Sequence, residues 1–389
     1  MFISHSNCPN FRVLSDFRKD NYEFFKECFK QSALLAMEAG MASLGHVSSD
    51  GSKFKANTSK HKAMSYARLK AKEKELTEEI EVLLAKAAKC DEEDEEYQDK
   101  SGYEIPEELK IKEKRLAKIK EAKEALENRE KELNPGKEID DKKQISFADK
   151  EARIMGKKGD FDYSYNGQIS VDEDNQIIVG QHLTQKANDK QEVEPALEEI
   201  KETTGNLPDK MSLDNGYMSG DNLEAFDGKD IDVYIATGKG EKKDQRPIED
   251  SNRKIKKSDF SYDEDKDCFL CPAGHTLNLK TWSSDGKKVY QAVKAECDAC
   301  PYKVRCCSSK RGEPRTINSD DKEPLREKMN EKMEQESSKE IYKRRKKIVE
   351  PVFGQIKNSG FRGFSLRGNE KASGEFSLHF QKTGYRSIF

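Results

Sequence analysis

Apolar residues recur at helical intervals in several parts of the chain. Residues 11–45 place large apolar side chains at roughly helical intervals, which predicts a helix. Residues 63–133 carry two apolar seams with heptad-like spacing on either side of an acidic stretch that is followed by Gly102 and Pro106. Such seams predict two helices packed as a coiled-coil hairpin, with this acidic and glycine-containing stretch as its turn. We expect the hairpin to be a structural arm rather than a site of chemistry.

Short apolar or alternating runs predict the strands of an α/β domain. Val47–Phe54 predicts a first strand, and residues 160–184 predict a β-hairpin around a polar turn. Glu192–Thr204 has the spacing of a helix and ends before a glycine. Two further short strands are expected at Met211–Leu213 and Asp232–Ala236. Once the inserts are removed, this order favours a mixed sheet with helices packed against it.

A long polar helix is predicted over Asp320–Val349, and Pro351 must interrupt it. Because proline lacks the N–H donor and crowds the preceding turn, we expect a kink beside Glu350. From Lys339 to Arg386 the chain has twelve Lys/Arg and four Glu, a net charge of +8, whereas the whole chain has a net charge of −3. A basic segment on a nearly neutral chain predicts a surface that binds phosphates.

Composition limits the class of protein. The 389 residues are enough for two or three domains, and charged residues (37%) outnumber apolar ones (34%), so some segments are expected outside any packed core. No apolar stretch is long enough to span a membrane, and the first residues lack the pattern of a secretory signal. We therefore expect a cytoplasmic protein without a membrane partner.

Six of the nine cysteines crowd into one segment in the second half of the chain. Cys268 and Cys271 form one CxxC pair, and Cys297 and Cys300 form another. In a chain without an export signal, this pattern predicts a structural zinc site in which four thiolates close a tetrahedron. An iron–sulfur cluster and a redox dithiol are the alternatives. The ligand set stays open, since Cys306 can replace Cys268.

Three acids lie at positions that suit metal ligands. Asp50 lies in the first predicted strand, and Asp214 lies at the carboxyl end of a later strand, a favoured ligand position in α/β sheets. Glu350 is a lone acid in a basic helical stretch, which suits a metal beside a polyanion. Each acid also has an ordinary interpretation, namely a turn at Asp50-Gly51, an Asx turn at Asp214 and ion pairs with neighbouring basic residues for Glu350.

The most specific signal is the order of several motifs along the chain. They include LGHVSSDGSKFKANTSK, LDNGYMSGDNLEAF, CPAGHTL with CDACPYKVRC, and YKRRKKIVEPVFGQIKNSGF. Together they resemble an insertion-sequence transposase of the DDE type, in the group with a coiled-coil insert and a cysteine cluster. The resemblance implies an α/β fold with a ribonuclease-H-like mixed sheet, a helical-hairpin (coiled-coil) insert and a small cysteine-rich, zinc-ribbon-like insert.

The resemblance also divides the chain into six expected regions. They are a remnant N-terminal helical region (1–45), the first core strand (46–60), the coiled-coil hairpin insert (61–136), the ribonuclease-H-like core (145–236), a linker with the cysteine-rich metal-binding insert (237–318), and the C-terminal core helix with a basic tail (319–389).

This resemblance implies metal-dependent cleavage and strand transfer of insertion-sequence ends. The family's catalytic triad carries over to Asp50, Asp214 and Glu350, which would hold Mg²⁺ or Mn²⁺. The cysteines of the family pattern, which would hold Zn²⁺, fall best on Cys271, Cys297, Cys300 and Cys306. The expected DNA-binding side chains are Lys343, Arg344, Arg345, Lys346, Lys357, Arg362 and Arg367. The expected partners are double-stranded DNA, both insertion-sequence ends and target DNA, and further copies of the chain in a homodimer or larger assembly associated with the nucleoid.

The sequence also departs from the family. Less helical sequence precedes the first motif than is usual, which suggests an N-terminally shortened copy, and residues 379–389 do not look like the usual apolar C-terminal helix. Related transposases place an arginine at a set helical interval before the glutamate; here that position holds Lys346, with Arg345 one residue early. These departures leave a second interpretation, a non-catalytic DNA-binding remnant or regulator. A zinc-stapled scaffold that binds partners through its hairpin is a third.

Overall fold

The structure is a computed structural model that describes residues 9–93, 101–157, 160–237, 246–283, 286–309 and 311–384. Its α-helices are α1 (Phe11–Asp20), α2 (Tyr22–Glu38), α3 (Tyr66–Glu93), α4 (Ser101–Leu133), α5 (Val193–Thr204), α6 (Gly220–Glu224), α7 (Lys294–Ala299), α8 (Lys303–Cys306), α9 (Glu323–Glu334), α10 (Glu336–Ile348), α11 (Glu350–Asn358) and α12 (Asn369–Gly384). Its β-strands are β1 (Val47–Lys55), β2 (Ala63–Ser65), β3 (Gln144–Ser146), β4 (Arg153–Lys157), β5 (Asp160–Asp172), β6 (Ile178–Thr184), β7 (Lys210–Leu213), β8 (Asp232–Ile235), β9 (Ser261–Asp263), β10 (Cys268–Leu270), β11 (Thr276–Trp282), β12 (Lys288–Ala292) and β13 (Thr316–Ser319).

A six-stranded mixed sheet forms the centre of the molecule. Strand β1 pairs antiparallel with β5 on one side and parallel with β7 on the other, and β7 pairs parallel with β8. The two ends of the long strand β5 pair with β4 and β6, both antiparallel. A mixed sheet with two parallel strands beside an antiparallel set is compatible with the predicted ribonuclease-H-like fold.

The two faces of the sheet bury separate apolar clusters. On one face, Phe54 of β1 packs against Phe361 and Phe376, with ring centroids 5.1 and 5.4 Å apart respectively, beneath α11 and α12. On the other face, Met211 of β7 and Leu197 of α5 belong to a second cluster. Residues on alternate positions of a strand point to opposite faces, so β1 contributes to both clusters. The sheet is therefore covered on both sides, as parallel strands require.

The free edge of β1 is covered by the segment between α11 and α12. The strand runs on to Lys55, whereas its pairing with β7 ends at Ser49. Beyond that point the Lys55 N–H donates to the Arg362 carbonyl at 3.4 Å, and the Phe364 N–H donates to the Lys55 carbonyl at 2.8 Å. An uncovered edge would offer unpaired backbone groups to other chains, so this contact closes the sheet beside the basic segment.

Two smaller units lie outside the main sheet. The helices α3 and α4 pack side by side, with the short sheet β2–β3 at their base and a cluster that includes Leu69, Ile119 and Leu126 between them. The strands β9 to β13 form a separate five-stranded antiparallel sheet with its own core, which includes Phe269, Leu277 and Tyr290. No helix of the described residues has both the length and the apolar character to cross a membrane.

Several predicted elements are confirmed. The first strand, the hairpin over 160–184, the helix before Gly205 and the two short strands are present as β1, β5 with β6, α5, β7 and β8. Gly205 ends α5 in the left-handed conformation that glycine tolerates best. The predicted break beside Glu350 is present, since Pro351 falls in the first turn of α11, where its missing N–H needs no partner.

Other predicted elements are wrong in their bounds. The helix expected over residues 11–45 is two helices separated at Asn21, whose side-chain amide donates to the Phe17 carbonyl and competes with the helical backbone bond. The helix expected over Asp320–Val349 is also two, α9 and α10, because Gln335 is extended. The separation lets α9 bury Met329 and α10 follow a different direction.

The turn of the hairpin and the end of the chain also differ from expectation. Gly102 and Pro106 lie inside α4, and the rest of the predicted turn, residues 94–100, lies outside the described part of the chain. The described part of the C-terminal segment, up to Gly384, is helical: it belongs to α12, which buries Phe376 and Phe380. Sequence reasoning missed this helix because only one narrow side of it is apolar.

We predict opposite effects for two glycine-to-alanine substitutions. A Cβ at Gly167 would lie 2.6 Å from the ring of Phe376 and 3.0 Å from Phe54, so Gly167→Ala should lower the free energy of unfolding by about 1–3 kcal/mol. Gly354, inside α11, has nothing within 4 Å of such a Cβ, so Gly354→Ala should raise it by about 0.5–1 kcal/mol. Denaturant unfolding of both variants measures this, and equal effects would contradict the packing described.

Candidate active site

Asp50 and Asp214 lie side by side where the parallel pairing of β1 with β7 ends. Ser49 of β1 is paired with Leu213 of β7, and the two acids are the next residues of each chain segment. Adjacent strands are about 4.8 Å apart, so the carboxylates share one small region. Topology alone therefore brings together two acids that are far apart in sequence.

The structure contains the turn that was the ordinary interpretation of Asp214 but not the one expected at Asp50. A turn at Asp50-Gly51 is wrong, because β1 continues without interruption through both residues. The Asx turn at Asp214 is present, since its Oδ1 accepts the Gly216 N–H at 2.6 Å. That bond uses one carboxylate oxygen, so capping a turn and facing a ligand are compatible roles for Asp214.

Glu350 joins the two aspartates through a buried guanidinium. Arg345 of α10 is only 6% exposed, and its Nη2 lies 2.7 Å from Asp50 Oδ2. Its Nη1 lies 3.6 Å from Glu350 Oε1, at the start of α11. Two acids separated by 300 positions of the sequence thus contact one side chain. Glu350 itself is half exposed, with 51% of its side chain accessible.

The helix break explains which basic residue enters the site. Helical spacing measured back from Glu350 points to Lys346, but α10 ends at Ile348 and a new helix begins at Glu350. The irregular residue between the helices shifts the spacing by one position. Arg345 therefore faces the acids, and Lys346 lies exposed on the outside.

The electrostatics of the site favour an added cation. Burial raises the pKa of Asp50 to about 6, although the Arg345 guanidinium acts in the opposite direction. The charges of Asp214 and Asp189 add to the increase. Burial alone would lower the pKa of Arg345, but the nearby acids, Asp50 first among them, hold it above its usual value. The acids thus carry more negative charge than Arg345 balances.

A fourth carboxylate, which sequence reasoning missed, lies beside the predicted triad. Asp189 is in the loop between β6 and α5, and its Oδ1 accepts hydrogen bonds from Asn166 at 2.7 Å and from Gln168 at 2.6 Å. Both donors are buried polar side chains of β5. Buried polar residues need partners, so their presence in this strand was a usable signal for a polar site.

Close packing explains the glycine after Asp50. A Cβ at Gly51 would lie 2.4 Å from Gln168 Nε2 and 2.9 Å from both Asn166 Oδ1 and Asp189 Oδ1. The glycine thus allows β1 to approach the polar side chains that hold Asp189. Two residues further along β1, the Lys53 ammonium lies 3.9 Å from Asp189 Oδ1.

The other predicted DNA-binding residues lie on the surface. Arg345 is the exception, since it is buried among the acids. Arg344 makes a contact of 3.4 Å with Glu173, and the Arg367 Nε donates to the Asn57 carbonyl at 3.0 Å. The exposed members of the predicted set are Lys343, Arg344, Lys346, Lys357, Arg362 and Arg367.

The clustered cysteines are free thiols in the described part of the chain. Cys297 and Cys306 each form a side-chain contact with Cys307, and the charge of Cys271 also acts on Cys297. The Cys271 sulfur accepts the His275 N–H at 3.3 Å. Sequence reasoning did not include Cys307 among the ligands. Cys268 is buried in β10, only 2% exposed.

Neither cluster is a ready-made coordination sphere. Among the described residues, no group of three or more His, Cys, Asp or Glu side chains is arranged to hold a metal ion. At the acids, the Arg345 guanidinium lies between Asp50 and Glu350, where a cation would be expected. Metal binding at this site therefore needs a change in side-chain position.

Comparison with known proteins identifies the C-terminal part of the chain. Residues 270–382 match the family model of the transposase DDE domain. Over these residues the chain is similar to a transposase DDE domain. The predicted resemblance to DDE transposases is thereby confirmed, and such domains generally use a divalent metal such as Mg²⁺ and act on DNA. No curated protein and no solved structure matches the chain.

The extent of the match is informative about the site. It includes Glu350, Arg345 and the cysteines from Cys271 onward, but begins after Asp50 and Asp214. The pairing of β1 with β7 links the two aspartates to each other, and the contact between Asp50 and Arg345 links them to the matched segment.

We predict that Asp50→Asn stabilises the metal-free protein at high pH. The folded pKa of about 6 lies above the ordinary value of 3.8, so folding binds a proton between these values, and stability falls as the pH rises through this window. At pH 8 the neutral amide avoids this penalty, and we expect a gain of about 1–2 kcal/mol in the free energy of unfolding. At pH 4 the gain should largely disappear. Thermal unfolding with a chelator present tests this, and a loss of stability at pH 8 would contradict it.

Proposed function

We propose that the chain is a DNA transposase that cuts and joins insertion-sequence ends, with Asp50, Asp214 and Glu350 as its catalytic acids. The observation that carries the proposal is the contact of Asp50 and Glu350 with one guanidinium, next to Asp214 on the adjacent strand. Acids that converge at the end of a mixed sheet, in a chain with a transposase DDE domain, support phosphoryl transfer better than a structural role.

The donor chemistry of these acids fits a divalent ion such as Mg²⁺ or Mn²⁺. Carboxylate oxygens are the ligands that these hard cations prefer, and burial, with a smaller contribution from the charge of Asp214, raises the pKa of Asp50. When bound, a pair of such ions activates the attacking oxygen and stabilises the leaving one. Glu350, which is half exposed, has room to turn toward the aspartates once Arg345 moves aside.

The chain's own basic residues would bind and orient the DNA. Exposed side chains of α10, α11 and the following loop, such as Lys343, Lys357 and Arg362, would contact backbone phosphates. Such contacts give an affinity that falls with salt and carries no sequence information. Arg345, once displaced from the acids, would stay close to the reacting phosphate, because α10 leads directly into the helix that begins at Glu350. Strand transfer joins two DNA ends, so we propose a homodimer or larger assembly.

We expect Glu350→Gln to abolish metal-dependent cleavage. The amide keeps the size of the side chain but loses the charge that a divalent ion requires, so the rate should fall by more than about 100-fold. The assay is nicking of DNA that carries the sequences flanking the reading frame, with Mg²⁺ or Mn²⁺. Glu340→Gln, an exposed glutamate on α10, is the matched control and should cut normally. Normal cutting by Glu350→Gln would disprove this assignment.

The cysteine cluster is proposed as a structural zinc site. Thiolates suit zinc, and the His275 backbone N–H is directed at the Cys271 sulfur. The proposed ligands are Cys271, Cys297 and Cys306, with Cys300 or Cys307 as the fourth. Such a site would hold the small sheet together and take no part in the reaction.

We expect about one zinc per chain by elemental analysis of protein purified without chelator, and its loss in Cys297→Ser. Removing one of four thiolates opens the tetrahedron and lowers metal affinity. Cys268→Ala is the control and should keep its zinc, because that residue is buried in β10. Wild-type protein without zinc, or equal loss in both variants, would contradict this site.

A second candidate is a DNA-binding remnant or regulator that does not cut. The guanidinium between Asp50 and Glu350 favours it, since the described side chains hold no preformed metal site. Salt-sensitive DNA binding without cleavage in either metal would support this alternative over the transposase.

A further inference from the structure

Lys53 is a second cation at the acids, on the side away from Arg345. Asp50 and Lys53 are three positions apart on β1, so their side chains leave opposite faces of the strand. Asn166 of β5 is paired with Lys53, and Gln168 is paired with Gly51, so both amides lie on the same face as the lysine. The Lys53 side chain is 31% exposed and can reach both the acids and solvent.

Asp189, the nearest acid to Lys53, is held rigidly. Its carboxylate accepts from Asn166 and Gln168, and its backbone carbonyl accepts from the buried Asn222 at 2.8 Å. The Tyr217 hydroxyl donates to the Gln168 carbonyl oxygen, which fixes that amide with its NH₂ group toward Asp189. A loop residue with this many fixed contacts has a defined position.

The Asp189 carboxylate orients the Lys53 ammonium without forming a hydrogen bond to it. The 3.9 Å between the ammonium and Asp189 Oδ1 is longer than a hydrogen bond, and that oxygen already accepts two hydrogen bonds. Within the described part of the chain, the Lys53 ammonium makes no hydrogen bond, so its three N–H donors are available to a ligand. The charges of Glu192, Asp50 and Asp214 also act on this ammonium, which keeps it close to the acids.

We propose that Lys53 contacts the phosphate at which the DNA strand is cut, and that Asp189 is its positioning residue. This inference rests on the proposed transposase function. The phosphate would enter between two cations, Arg345 beside Asp50 and Lys53 beside Asp189. Negative charge spreads over the phosphate oxygens as the strand is displaced, and a fixed ammonium stabilises that charge.

The first test compares cutting rates of five variants, one of them a double variant, on the same flanking DNA. Lys53→Met should lower kcat roughly 10- to 100-fold, and Lys53→Arg should recover much of it, because one charged hydrogen bond has about that value. Asp189→Asn should lower kcat by a smaller factor, and should have little further effect when Lys53 is already methionine. Lys30→Met, an equally half-buried lysine that pairs with Glu202, is the control and should cut like the wild type.

The second test asks which phosphate Lys53 contacts. A duplex with a single uncharged methylphosphonate at the cut position should bind the wild type more weakly than the normal duplex. Lys53→Met should lose this discrimination, whereas Lys357→Met should weaken binding to both duplexes equally. Thermal unfolding by circular dichroism shows whether each variant is folded, and Lys53→Arg serves as the test if the methionine variant is not.

The outcomes separate this inference from the proposed function. A wild type that cuts, with Lys53→Met cutting equally well, overturns the role of Lys53 and leaves the transposase intact. A slow Lys53→Met that still discriminates between the two duplexes overturns the contact with the cleaved phosphate. Full additivity of the two substitutions overturns the role of Asp189. A wild type that cuts in neither metal refutes the proposed function, and this inference with it.

Discussion

The buried ion pair between Arg345 and Asp50 is the contact on which the site depends. It connects α10, far along the chain, to the first strand of the sheet, and it extends to Glu350 at the start of the next helix. Because Arg345 is buried, a shift of α10 away from the sheet would leave its guanidinium without a hydrogen-bonding partner, which is unfavourable. The pair therefore fixes the orientation of α10 and, through it, the position of Glu350.

Around the same ion pair, the negative charges of the site outnumber the positive ones. One guanidinium and one ammonium face four carboxylates, three of them supplied by β1, the turn after β7 and the loop after β6. Burial raises the pKa of Asp50, and the charges of Asp214 and Asp189 add to the increase. An excess of negative charge lowers the stability of the folded protein, but it would favour the binding of cations and of the phosphates that accompany them. Such a loss of stability is common at functional sites.

Sequence reasoning was sufficient where the signal was local or followed from a family resemblance. The strands around Asp50 and Asp214 were predictable from short apolar runs, and Pro351 marked the break beside Glu350. Sequence reasoning failed where a single non-helical residue changes the direction of the chain. Asn21 and Gln335 each divide a predicted helix, although neither is a strong helix breaker. The one-residue shift that brings in Arg345 is of the same kind. Asp189 was missed because it lies in a loop, and only the polar side chains of β5 indicate what it contacts.

The contact that covers the free edge of β1 has a consequence for how the protein would hold a double helix. Arg362 and Lys55 are joined backbone to backbone, and Lys55 lies five residues after Asp50 on the same continuous strand. The proposed phosphate-binding segment and the proposed catalytic Asp50 are thus connected through one continuous strand. The position at which the DNA is cut would then be set by the distance between the bound DNA backbone and the carboxylates.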